Sequence, residues 1–255
     1  MESQEDNTTD DGAKIRSPVE VMRQYIESLP EEISIKEEIM TFQFWKAVRT
    51  EFLATLLFVL FGCGSCLTYT SLPPKFLSNF SSFDETSDPT ESRGESSFQT
   101  IILELKVSLV FGLSAATLIQ CMGQVSGCHL TPAITASLLV TRRLTVLRFV
   151  LYLFVQCFGS IVASAILYGL LTTEERSHSG LGLTIPAQHL NASQVFGYEF
   201  LGTFIVVLTF LVNTDPQRID AGFKSLSIGI AYFIAHMFAV SNYNDFTYFK
   251  SFILI

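Results

Sequence analysis

The sequence predicts an all-α membrane protein, an inverted-repeat helical bundle with five spans and one re-entrant half-helix. The first observation is composition: the mean hydropathy is +0.40, and 49% of the residues are hydrophobic while only 16% are charged. That balance is too apolar for an ordinary soluble domain. The second is the clustering of apolar residues into long runs. The third is a helix start, Thr131-Pro132, inside an apolar region.

An acidic segment comes first. Residues 1–44 hold 11 of the 24 acidic residues and four basic ones. Most of the net charge of −8 therefore comes from this tail, and it says little about binding partners. Ser17-Pro18-Val19-Glu20 is a capping box that predicts a short helix, ended by Pro30. This helix is expected to lie on the membrane or on the protein's own surface, or to bind a partner. No signal peptide is predicted, because the first apolar run begins after residue 44.

Five apolar runs predict the membrane spans, since about 20 apolar residues cross a bilayer. Between the first two, residues 72–99 are rich in Ser, Thr, Asp and Glu and predict a long loop. Four cysteines lie in spans and Cys128 lies between the second and third, and we interpret all five as small buried hydrophobes. The predicted spans are Phe52–Leu67, Val107–Met122, Phe149–Leu171, Val195–Val212 and Leu226–Val240.

The segment Gln124–Thr135 predicts a helix that begins inside the bilayer, with the half-helix covering 132–140. Pro132 suits the first helical position because it has no N–H, and the Thr131 hydroxyl can cap that turn. A helix start in hydrocarbon leaves N–H groups bare, which is costly unless protein or water faces them. Such a start is therefore expected beside a pore or a binding cavity.

The basic residues near the span ends predict a cytoplasmic N-terminus. Seven Lys and Arg residues lie near span ends on the N-terminal side of the membrane, against four on the other side, spread over longer loops. The sequons at Asn79 and Asn191 then fall on the extracellular side, where glycosylation can occur. The plasma membrane is the expected location.

The chain also repeats itself. Glu51-Phe52-Leu53-Ala54-Thr55 opens the first span and Glu199-Phe200-Leu201-Gly202-Thr203 opens the fourth. Three spans separate the copies, so the copies enter the membrane from opposite sides, and such repeats build transport pathways at their interface. The second half-helix and the sixth span are predicted to be absent. The predicted parts are an acidic tail (1–44), a first repeat (45–173), a partial second repeat (193–240) and a divergent tail (241–255).

Four segments closely resemble the aquaporins of the major intrinsic protein family, in particular the animal water-selective branch. The resemblance covers residues 45–240 and implies a passive channel for water that needs no cofactor, with other small neutral solutes left open. Members of the family have six spans and two half-helices opened by Asn-Pro-Ala, and they form tetramers. A homotetramer, or assembly with full-length subunits, is therefore implied. The segments are Glu51–Gly64, Lys106–Leu113, Ser126–Thr135 and Leu226–Phe238.

The resemblance implies a pore constriction that contains Phe111 and His236, a pair typical of the narrow, water-selective class. Two plainer interpretations stay open: Phe111 as a core aromatic residue, and His236 as a buried histidine with a satisfied hydrogen bond. Cys121, Cys128 and His129 do not have the spacing of a zinc site, so no metal is expected.

The resemblance also implies a half-helix motif in which Thr131 replaces the usual Asn. Threonine can still cap the helix, but its hydroxyl offers one donor where an amide offers two. Glu51 and Glu199 would be buried carboxylates that support the half-helix loops, although helix–helix hydrogen bonds would equally explain them. The motif residues are His129, Leu130, Thr131, Pro132 and Ala133.

No catalytic triad, carboxylate pair, phosphate loop or basic patch is visible, so neither an enzyme nor a nucleic-acid partner is expected. A second hypothesis concerns residues 241–255, which match nothing expected after the fifth span. The chain would then be a truncated, non-conducting isoform or fragment that assembles with full-length subunits or regulates them.

Overall fold

The computed structural model describes residues 19–20, 22–23, 35–67, 91–172, 191–217 and 222–240. The chain forms two compact units, Met1–Glu32 and Ile33–Ile255. In the first unit the four described residues are helical, in agreement with the helix predicted there. Ser17, Pro18 and Pro30 lie outside the described residues, as do the predicted glycosylation site at Asn79 and the tail 241–255.

In its described residues the second unit contains only helices. Four of them are long and apolar enough to cross a membrane. The last helix has 17 residues, so it is about 25 Å long, slightly less than the roughly 30 Å of a hydrocarbon core. The helices are α1 (Ile35–Met40), α2 (Phe42–Leu67), α3 (Glu91–Ser126), α4 (Pro132–Val140), α5 (Val146–Leu170), α6 (Ala192–Asn213) and α7 (Lys224–Val240).

The predicted all-α bundle is confirmed, and the half-helix α4 has the predicted bounds. The second spanning helix is longer than expected, because α3 begins at Glu91. The predicted loop is therefore wrong from residue 91 onward, while residues 72–90 lie outside the described part. Extending a helix that already exists needs no new nucleus, which explains how a polar segment continues an apolar span.

The long helices pack around one large apolar cluster and two smaller ones in the described residues. Helix α2 packs on α3 and α5, α7 packs on α3 and α6, and α4 packs on α5 and α6. Helices α3 and α7 approach closely because both carry glycine at the crossing: a Cβ at Gly229 would lie 2.5 Å from the Gly112 carbonyl oxygen. Small residues of this kind let helix backbones approach within a membrane.

All five cysteines are free thiols. Cys63 and Cys128 are buried and Cys66 is half-buried, but Cys121 and Cys157 are exposed on the surface of the bundle. The prediction of buried cysteines is wrong for these last two. Only one face of a peripheral helix turns toward the core, so a position within a span does not imply burial in protein.

The short helix α1 is tied to the start of α5 by the buried Glu38 carboxylate. Its oxygens accept hydrogen bonds from Thr145 Oγ1 at 2.9 and 3.1 Å and from Arg148 Nε at 3.1 Å. The Trp45 indole also donates to the Ile39 carbonyl at 2.9 Å. These bonds fix the helix that leads into the first span.

Candidate pore site

The half-helix α4 begins in the interior of the bundle. Thr131 is fully buried and has the extended backbone of an N-cap, and its Oγ1 accepts the Ile134 N–H at a long 3.5 Å. Pro132 occupies the first helical position, where its missing N–H leaves no donor unpaired. The structure thus places this threonine and proline in the geometry expected of them.

The loop before α4 turns sharply. Cys128 and Leu130 have left-handed φ angles of 49° and 63°, and Gly127 has a φ of 93°. A non-glycine residue in this region costs about 1 kcal/mol or more. Such a conformation persists only where the surroundings hold it, so the contacts of this loop matter.

Glu51 supplies the main support for the loop. This carboxylate on α2 is fully buried, and it accepts hydrogen bonds from Ser126 Oγ at 2.6 Å and from the His129 N–H at 3.0 Å. A third bond comes from Gln156 Nε2 on α5 at 3.3 Å. Glu51 therefore contacts both the half-helix loop and a neighbouring helix, which joins the two interpretations that the sequence left open.

Several polar groups around Glu51 were missed in the sequence. Gln156 Nε2 also donates to Thr135 Oγ1 at 3.0 Å, and Thr55 Oγ1 donates to the Leu130 carbonyl at 3.1 Å. The Tyr152 hydroxyl donates to the Ser126 carbonyl at 3.2 Å. Gln156 was the available signal, because an uncharged amide within an apolar span needs a hydrogen-bonding partner.

His129 completes this network of polar groups. Its Nδ1 lies 3.2 Å from Thr135 Oγ1, and its ring stands edge-on to Tyr152 with centroids 5.2 Å apart. The other two motif residues lie beside it: Leu130 is buried and Ala133 is half-buried. His129 is therefore a supporting residue of the loop in this structure.

Phe111 on α3 and His236 on α7 are brought into direct contact. Their rings are stacked with centroids 4.1 Å apart and planes 16° apart, and both are buried. His236 Nδ1 donates to the Tyr232 carbonyl at 2.8 Å. The Phe111 ring lies against the backbone of Gly62, where any Cβ would overlap it. The plainer interpretation of His236 as a satisfied buried histidine thus fits its hydrogen bond.

Two further aromatic residues continue this contact toward α4. Phe58 on α2 stands edge-on to Phe111 and also to Tyr232, each with centroids 5.4 Å apart. Tyr232 lies one turn before His236 on α7 and is fully buried. Neither residue stands out in the sequence, because an aromatic residue in an apolar span is ordinarily a core residue.

Glu199 and Asn191 lie on α6, apart from this site. Glu199 is half-buried as a residue, one of its carboxylate oxygens is shielded from solvent, and it is not among the groups around Glu51. Asn191 is exposed and begins α6, with its N–H donating to Gln194 Oε1 at 2.9 Å. Among the described residues, Glu51 is thus the carboxylate that bonds to the half-helix loop.

Comparisons with known proteins show the family to which the chain belongs. Residues 38–243 match the family described as Major intrinsic protein. The chain is 40% identical over 205 residues to aquaporin-1 of Rattus norvegicus, covering 80% of this chain and 67% of the rat protein. It is 35% identical over 204 residues to aquaporin-4 of Mus musculus, covering 80% of this chain and 55% of the mouse protein.

A solved structure is also similar. The aquaglyceroporin from Plasmodium falciparum superposes with a TM-score of 0.56 at 20% identity, covering 75% of this chain and 71% of that one. At such low identity the likeness shows the fold alone. Together with the apolar spanning helices, these matches show that the chain is an integral membrane protein and belongs to the major intrinsic protein family, the aquaporins, which are channels and not enzymes.

Proposed function

We propose that this chain forms a passive water channel with a narrow aromatic constriction. The observation that carries the proposal is the start of α4 in the bundle interior, where Thr131 is fully buried and the loop before it is held by Glu51. A helix start at that depth is tolerated only where it faces protein or a cavity. Its positive end would repel cations while neutral water passes.

Phe111 and His236 are proposed to set the width of this pathway. They lie on different helices and share one stacked contact, so a permeant that reaches this position meets both rings. The similarity to aquaporin-1 and aquaporin-4 supports water as the permeant. We propose that glycerol, which is larger, is excluded.

We further propose an orientation and an assembly. The basic residues near the span ends support a cytoplasmic N-terminus in the plasma membrane, and the exposed Asn191 supports glycosylation on the outer side. Large apolar side chains on α5, among them Phe154 and Phe158, are exposed and would face lipid or neighbouring subunits. A homotetramer would cover part of that surface.

The test is osmotic. Proteoliposomes that contain the full 255-residue chain are shrunk in sucrose and in glycerol, and light scattering reports water and glycerol permeability against protein-free vesicles. A water permeability several-fold above the lipid background, with glycerol permeability at background, is expected. Equal glycerol and water enhancement would contradict the proposed selectivity.

A second candidate function is a non-conducting subunit that assembles with longer family members. The stacked contact between Phe111 and His236 favours it, because rings in contact leave no room for water between them. Proteoliposomes at background water permeability would support this candidate, provided that cross-linking shows assembly when the chain is reconstituted together with a longer family member.

A further inference from the structure

Four buried aromatic rings contact one another near the start of the half-helix. Phe58, Phe111, Tyr232 and His236, here called the aromatic cluster, come from α2, α3 and α7, and none is more than 6% exposed. Each contacts the next, with centroid distances of 4.1 to 5.4 Å. Four residues of helix rise about 6 Å, so the two members on α7 extend the cluster by one full turn.

Besides the two His236 ring nitrogens, the Tyr232 hydroxyl is the polar side-chain group of this cluster. Its hydroxyl oxygen is shielded from solvent and makes no well-formed hydrogen bond with any group in the described part of the chain. The hydroxyl and the Thr131 side chain are close enough for a weak hydrogen bond, but the geometry of that bond is poor. The hydroxyl therefore lies near the capping residue of α4.

A buried hydroxyl with only a poorly aligned hydrogen bond is unfavourable, because it has lost its hydrogen bonds to water and gained little in return. Native structures pair most such groups. A phenol placed beside the N-cap of a helix that starts inside the bilayer would regain hydrogen bonds if water reached it. The arrangement therefore favours a hydrated state of this position over the dry one.

From these contacts we infer that Tyr232 is a permeability-determining residue, which closes the pathway at the half-helix when its ring is packed against Phe58. Water passes when the ring swings aside, and the freed hydroxyl and Thr131 Oγ1 then both bond to the passing water. The inference rests on the proposed water-channel function and adds a residue to it. The bulk of the ring closes the pathway, while its hydroxyl destabilises the closed state.

The experiment compares three variants of the full chain in proteoliposomes, by the osmotic assay. Tyr232→Val removes the ring and is expected to raise water permeability roughly tenfold, the effect of a modestly lower barrier. Tyr232→Phe keeps the ring and is expected to leave permeability at or below that of the parent. Tyr168→Val, which changes a half-exposed tyrosine on α5, is the matched control and should leave permeability unchanged.

A second measurement does not depend on transport. In detergent, Tyr232→Phe is expected to raise the midpoint of thermal unfolding by about 2 °C, because it removes a buried hydroxyl that has no well-formed hydrogen bond. A lower midpoint for Tyr232→Phe would show that the hydroxyl is bonded in the native protein and would overturn the inference. Size-exclusion profiles establish that Tyr232→Val is folded. If it is not, Tyr232→Leu takes its place.

The outcomes separate the two proposals. A parent chain that conducts water as fast as Tyr232→Val retains the channel function and refutes the role of Tyr232. Conduction by Tyr232→Val with a silent parent supports closure by Tyr232 but contradicts water conduction by the parent chain. If the parent and Tyr232→Val both stay at the lipid background, both proposals fail. A rise for Tyr232→Phe as large as that for Tyr232→Val would also refute closure by the ring.

Discussion

The loop before α4 and the aromatic cluster lie next to each other but are stabilised in opposite ways. Both Glu51 carboxylate oxygens accept hydrogen bonds, from Ser126 at the end of α3, from the His129 N–H in the loop and from Gln156 on α5. These directional bonds join α2 to α3, to the loop and to α5. In the aromatic cluster, contacts between rings dominate and the Tyr232 hydroxyl lacks a well-formed hydrogen bond in the described residues. Directional bonds fix one geometry, whereas ring contacts are less directional. The loop is therefore held mainly by hydrogen bonds, and the cluster is held mainly by packing.

The largest effect is expected at Glu51. Glu51→Ala would leave the Ser126 hydroxyl, the His129 N–H and the Gln156 amide without their acceptor, and should lower the free energy of unfolding by about 3 kcal/mol or more. Denaturant unfolding in detergent measures this. Glu199→Ala is the matched control, since it alters the carboxylate of the other repeat, which is only half-buried. An equal loss in the control would contradict the special role given to the loop.

A smaller loss is expected where the aromatic cluster touches α2. Gly62→Ala places a methyl group into the Phe111 ring, and overpacking of this kind destabilises by about 1 to 3 kcal/mol. Gly197→Ala has open space around its Cβ and should be neutral or stabilising by up to about 1 kcal/mol. Thermal unfolding of the two variants would show whether the cluster is as tightly packed as its contacts indicate.

A third prediction concerns Glu38, another buried carboxylate that accepts hydrogen bonds, here from the start of α5. Glu38→Ala removes the acceptor of Thr145 and Arg148, but the Arg148 side chain is already 32% exposed and can bond to water instead. We expect a loss of about 1 kcal/mol, well below that of Glu51→Ala. Hydrogen exchange should show faster exchange confined to α1 and the start of α5. Exchange that accelerates throughout the bundle would contradict a local role.

The smallest effect on stability is expected at Thr131. Asparagine caps a helix slightly better than threonine, so Thr131→Asn should stabilise the protein by only a few tenths of a kcal/mol. Its amide offers two donors to water where the hydroxyl offers one. If the chain conducts, we expect a lower proton permeability at similar water permeability, measured with a pH-sensitive dye inside proteoliposomes. Unchanged proton permeability would show that the second donor does not matter here.

The features that sequence predicted well are those set by local chemistry. Thr131-Pro132 marks a helix start wherever it lies, and the bounds of α4 agree with that expectation. The supporting role of Glu51 was implied by the family resemblance, and the structure shows its bond to the loop. The contact between Phe111 and His236 was not predictable, because a pattern along a helix does not tell whether two rings face each other across water or touch. Tyr232 was missed for the same reason: only its packed neighbours reveal that its hydroxyl has no well-formed hydrogen bond in the described structure.

The position of Gln156 and Tyr152 in the chain has a consequence for biogenesis. Both residues hold segment 123–140, Tyr152 through the Ser126 carbonyl and Gln156 through Thr135 Oγ1, yet both belong to α5, which is synthesised after this segment. Segment 123–140 therefore leaves the ribosome before two of its anchors exist, while the energetic cost of the left-handed conformations at Cys128 and Leu130 opposes its folding. We expect the re-entrant segment to insert after α5, so ribosome-bound chains that end before residue 152 should expose it to the aqueous side.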